Sequence, residues 1–110
     1  MIDWTRITNL RDEIGADDFD EVVELFLDEV HIVIEKLRSA PDLGALEADF
    51  HFLKGSALNL GFTTFSEKCH NGERQAALGL MAQVDLKDIL DCYDHSKAHF
   101  AQELPNRFAA

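Results

Sequence analysis

Between Phe19 and Leu37 the apolar residues Phe19, Val22, Val23, Phe26, Val30, Val33, Ile34 and Leu37 return every three or four positions, until Pro41 interrupts the pattern. That is the period of an amphipathic α-helix, and no segment of the chain shows the sustained apolar–polar alternation that a half-buried strand needs. A sheet is therefore excluded, and the stripe has to be buried against other helices. Asp17 or Asp18 is expected to cap this helix, which should run to about Ser39.

The same period recurs on both sides. Trp4, Ile7, Leu10 and Ile14 form a short first helix behind Asp3 as N-cap, with Gly15 as its stop. Leu43, Leu46, Phe50, Leu53, Ala57 and Leu60 make the stripe of a third helix, and Gly61 stands where a left-handed C-terminal residue is expected. Thr63 or Thr64 starts a fourth, with Phe65, Cys69, Ala76 and the nearby Leu80 as a weaker apolar side. Asp85 caps a fifth that carries Leu86, Ile89, Leu90, Tyr93, Phe100 and Leu104 up to Pro105. Connections this short join antiparallel neighbours. The predicted fold is all-α: an antiparallel four-helix bundle with a short N-terminal capping helix, residues 1–110 forming a single domain without repeat, linker or low-complexity tract.

Length and charge narrow the function classes. A chain of 110 residues buries roughly two-thirds of its unfolded surface, enough for one core but not for two. The 46% hydrophobic and 28% charged residues place it among soluble globular proteins rather than disordered ones. No apolar run reaches membrane-spanning length, and the first residues, with Asp3 and Glu13, lack the pattern of a secretory leader, so the expectation is a cytoplasmic protein without membrane contact. A formal charge of −11 opposes a nucleic-acid partner, because that binding depends on Lys and Arg displacing counterions. Cys69 and Cys92 read as buried free thiols, not as a zinc motif or a disulfide framework. A bundle of this length needs no second chain to complete its core, so a monomer is expected.

The stretch HFLKGSALNLG, His51 to Gly61, is the exception to good helix design. Gly55 lies inside the third helix, where glycine costs about 1 kcal/mol relative to alanine. With the apolar stripe at zero, His51 falls at about 140° on the wheel, nearly opposite the core. Ala48, Gly55 and Leu58 share that outward sector, which is small and apolar where a solvent face is normally charged, and Glu47 and Lys54 flank it. Such a face suits another surface lying flat against the helix.

His51, Leu53, Lys54, Gly55 and Ser56, followed by Leu60 and Gly61, resemble the H-x-L-K-G-S…L-G signature of histidine-containing phosphotransfer (HPt) domains. The resemblance implies that His51 accepts a phosphoryl group from a receiver-domain aspartyl phosphate and passes it to another receiver aspartate, within a two-component phosphorelay. It makes Lys54 the cation that stabilises phosphoryl charge, Gly55 the clearance for docking beside Ala48 and Leu58, and Leu53, Ser56, Leu60 and Gly61 structural motif positions. The implied partners are receiver domains of response regulators and of hybrid histidine kinases; no cofactor is expected on the domain itself, and Mg2+ is expected to come with the partner receiver. Ala57 departs from the serine of many members, but it falls on the core stripe. The same residues also fit the phospho-accepting HPt domain of a larger chemotaxis-type or hybrid sensor kinase, and a non-catalytic helical interaction module is the remaining alternative.

The chemistry supports that spacing on its own terms. Histidine, with an unperturbed pKa of about 6.5, offers an unprotonated ring nitrogen at neutral pH and needs no separate base to attack phosphorus. Phosphoryl transfer otherwise asks for in-line positioning and for charge opposed to the phosphoryl oxygens, and Lys54 lies one helical turn away. No glycine-rich phosphate loop is present, so autonomous kinase activity is not expected. Ser56 reads as a packing hydroxyl. Asp91, His95 and His99 recur at spacing four, as metal ligands can, but read as a solvated face, and no metal site is expected. His31 and His70 have no evident chemical partner. Leu25 and Ile32, off the main stripe of the second helix, are expected to meet the first helix, with a docking surface as the alternative.

Overall fold

The computed structural model describes residues 2–108. Its elements are α1 (Trp4–Ile14), α2 (Ala16–Ser39), α3 (Leu46–Asn59), α4 (Thr63–Ala77) and α5 (Leu86–Arg107), with 3₁₀ turns at Leu43–Ala45 and Met81–Gln83. Helices α2 to α5 form the antiparallel four-helix bundle, and α1 packs on α2 and α3 as its cap.

Local sequence explains most boundaries. The Asp3 carboxylate accepts the Arg6 N–H at 3.2 Å and starts α1. Gly15, at φ 90°, ends α1 and is also the residue from which α2 starts. Asp17 and Asp18 are consequently not caps, as the sequence suggested, but first-turn residues whose charge faces the positive end of the α2 dipole. The stripe assigned to a helix from Leu43 begins as a 3₁₀ turn, which leaves Leu43 exposed and starts α3 at Leu46. Helix α4 stops at Ala77 because Gly79 turns at φ 76°, so Leu80 lies beyond it, partly exposed.

Asp85 caps α5 as expected, accepting the Asp88 N–H at 3.0 Å. The helix does not end at Pro105 but continues through it to Arg107. Proline this near a C-terminus removes only one ladder donor while keeping helical φ. The last turn is also held from outside, with the Phe108 ring edge-on to Phe19 at 5.6 Å and the Arg107 guanidinium 4.7 Å over Trp4.

The core centres on α3, where Leu46, Phe50, Leu53, Ala57 and Leu60 are all at most 2% exposed. Burial of each large side chain contributes about 1.5–3 kcal/mol, so the inner face of α3 is firmly set. Phe65, Cys69 and Tyr93 close the far side, and burial pushes the free Cys69 thiol far above its ordinary pKa. Cys92, the other free thiol, is only half-buried, contrary to expectation. Among the described residues no helix is long and apolar enough to cross a membrane.

Gly61 fixes the turn between α3 and α4. It adopts φ 72°, and the Asp3 N–H donates to its carbonyl at 2.7 Å. A Cβ there would stand 2.6 Å from the Asp3 carbonyl oxygen, so both conformation and clearance demand glycine. Gly61 thereby pins Asp3 across the base of the helical hairpin that carries the site.

Candidate functional site

With the inner face of α3 committed to the core, its outer face follows from helix geometry alone. The His51 side chain is 71% exposed, and Ala48, Gly55 and Leu58 lie exposed on the same side. Leu53, Ser56 and Leu60 are buried, so the Ser56 hydroxyl stands within the packing rather than on the surface. A Cβ placed on Gly55 would meet nothing within 4 Å. Among the described residues nothing requires glycine there, in contrast to Gly61.

Helix α4 supplies a residue that sequence reasoning missed. One oxygen of Glu73 lies 2.8 Å from His51 Nδ1, and the other accepts from Lys54 Nζ at 2.5 Å. Lys54, read from sequence as a flanking cation, is therefore anchored: its side chain is 24% exposed and shares a carboxylate with the histidine. Lys54, and secondarily His51, hold the Glu73 carboxyl below the usual carboxylate range. An ionised carboxylate only accepts hydrogen bonds, so Nδ1 of His51 must donate its N–H. In the neutral ring the lone pair is then on Nε2, on the ring edge away from Glu73.

The signal for Glu73 is present in the sequence, though faint. On the α4 wheel it falls about 60° from the stripe of Phe65, Cys69 and Ala76, an edge position where a carboxylate needs a cation or donor. Which donor depends on the register between α3 and α4. The Ser66 hydroxyl, donating to the Lys54 carbonyl at 3.4 Å, joins the same two helices.

The outer surface is broader than α3 alone. Leu25 and Ile32, anticipated to meet α1, are instead largely exposed, at 57% and 71%. Lys36 pairs with Asp49 at 2.9 Å, which in an antiparallel pair brings Ile32 level with Phe52, itself 37% exposed. Ile32, Phe52, Ala48, Gly55 and Leu58 thus extend an apolar surface around the histidine. Phe52 was not distinguished in the sequence because it falls between the buried and outward sectors. On the other flank His70 lines, with Lys54, Leu58 and Ser66, a shallow groove between α3 and α4.

Asp91 is bonded to Lys87 at 2.6 Å, and the groove it lines with His95 and His99 lies between α4 and α5, away from His51. Among the described residues no group of three or more His, Cys, Asp or Glu side chains is placed to hold a metal ion. His31 is exposed on α2.

The described residues thus form a helical bundle that presents an exposed histidine, held by a carboxylate, on its surface. Compared with protein-family models, residues 21–99 match the Hpt domain, a span that includes α3, α4 and most of α2. The chain belongs to the Hpt domain family, whose members serve phosphotransfer in two-component signalling and interact with receiver domains. Searches among curated proteins and among solved structures gave no match.

Proposed function

We propose that this domain is a phosphorelay intermediate that accepts a phosphoryl group on Nε2 of His51 from a receiver aspartyl phosphate and delivers it to a second receiver aspartate. The observation that carries the reading is the contact of Glu73 with Nδ1 of a largely exposed His51. In the forward step the Nε2 lone pair forms the N–P bond as the P–O bond to the receiver carboxylate breaks. Nε2 carries no proton, so none has to be removed, and the positive charge that develops on the ring is opposed by Glu73 2.8 Å from Nδ1. In the return step an aspartate oxygen attacks phosphorus, the N–P bond breaks, and the electron pair returns to Nε2.

Lys54 keeps Glu73 ionised and, one helical turn from His51, places positive charge near the phosphoryl oxygens. Mg2+, held by the receiver, would oppose charge on those oxygens from the other side. Ala48, Gly55 and Leu58, extended by Phe52 and Ile32, form the face on which the receiver rests, and the bare backbone at Gly55 admits its approach.

The test is incubation with receivers carrying a labelled aspartyl phosphate. Wild-type protein should take up label that is lost in mild acid and kept in alkali, as for a phosphoramidate. His51→Gln should take up none while keeping its stability within about 1 kcal/mol, because the site is exposed. Uptake by the glutamine variant near the wild-type rate, or an acid-stable label, would overturn the assignment.

A further inference from the structure

Helix α4 contains a glycine that its backbone does not need. Gly72 is buried in the middle of α4 with ordinary helical torsions, since the positive-φ glycines are Gly15, Gly61 and Gly79. Glycine is a poor helix former, so its presence calls for a reason in the packing. The reason is visible across the helix interface. A Cβ on Gly72 would stand 3.0 Å from both Cδ2 and Cε2 of Phe50 and 3.3 Å from Cζ. Phe50 is fully buried, so its ring can give way only by moving against packed neighbours.

The two contacting residues are the immediate predecessors of the two site residues. Phe50 precedes His51 on α3, and Gly72 precedes Glu73 on α4. The ring seated on bare backbone sets how closely the helices approach, and one residue further on the carboxylate reaches His51 at 2.8 Å and Lys54 at 2.5 Å. We infer that Gly72 is a positioning residue: by seating Phe50 it fixes the α3–α4 separation and register at which Glu73 spans both partners and selects the Nδ1–H form of His51. This rests on the proposed phosphotransfer role for its consequence in rate, but not for its consequence in tautomer. A methyl at position 72 must push the helices apart or displace Phe50, and either movement lengthens or misaligns the short contacts that Glu73 makes with His51 and Lys54.

The experiment is a cycle of Gly72→Ala, Phe50→Leu and Glu73→Ala, read by the side-chain ¹⁵N shifts of His51, by the initial rate of transfer from a labelled phosphorylated receiver, and by thermal melts. Gly72→Ala should move His51 from the Nδ1–H form toward a mixture with Nε2–H and slow transfer about five-fold or more. Adding Phe50→Leu, which frees space against the new methyl, should restore both. On a Glu73→Ala background Gly72→Ala should lower the melting temperature further yet leave tautomer and rate where Glu73→Ala put them. A folded Gly72→Ala protein with wild-type tautomer and rate would overturn the inference, and so would an equal extra rate loss with and without Glu73. Should Gly72→Ala alone not fold, the Phe50→Leu/Gly72→Ala protein decides: the Nδ1–H form supports the inference and its loss contradicts it. If wild-type protein took up no phosphoryl group, the phosphorelay reading would fail while the tautomer comparison still judged Gly72.

Discussion

Glu73 joins the chemistry of the site to its stability. A half-buried carboxylate on the margin of an apolar face is costly unless donors meet it, and here each oxygen has one, from His51 and from Lys54. Its folded-state pKa is depressed below the ordinary 4.5, chiefly by Lys54. The stabilisation is therefore present above that ordinary value and is lost as the pH falls through the folded value, where the carboxylate protonates. Glu73→Gln should destabilise the domain by a nearly constant amount at neutral pH, and the difference from wild type should shrink once the pH drops below about 4.5. Denaturant unfolding of both proteins across that range measures it. A difference unchanged into strong acid would show that the contact contributes through packing rather than through charge.

At the scale of the helix, α3 divides its residues by direction, and the division separates stability from binding. Gly55→Gln replaces a poor helix former by a good one at a position with nothing within 4 Å of a Cβ. The variant should be more stable by about 0.5 kcal/mol or more, yet bind a phosphorylated receiver at least several-fold more weakly through steric exclusion. Thermal melts together with the concentration dependence of transfer check both halves, and unchanged receiver affinity in the folded variant would refute the clearance role. The direction of His51 was legible because it depends only on the period of its own helix and on the strong stripe from Leu46 to Leu60. Glu73 was not, because a stripe says which side of α4 faces inward but not which residue of α3 it meets. That register rests on the fit of Phe50 against Gly72, a pairing of shapes between positions far apart in sequence. Helix ends that depend on a single local residue, such as Asp3, Gly61 and Asp85, were likewise readable. Pro105 was misread because aromatic contacts of Phe108 and Arg107 hold the final turn from outside the helix.

Across the whole molecule, a core built on α3 sets the direction in which the exposed histidine leaves its helix. Every apolar residue that fixes the inner face of that helix also fixes where His51 points, and the bond from Asp3 to Gly61 secures the hairpin at its base. The bundle carries the acceptor and its orienting carboxylate, while the catalytic metal and the other phosphoryl-bearing side chain belong, in the proposed relay, to the receiver. Such a division makes the identity of the phosphorylated atom the point on which the mechanism stands. The deciding measurement is heteronuclear NMR of the ¹⁵N-histidine-labelled domain after phosphorylation by a receiver, reading the ring nitrogens of His51. Phosphorus coupled to Nε2, with Nδ1 still protonated against Glu73, is the expected result; phosphorus on Nδ1, or on any residue other than His51, would contradict it.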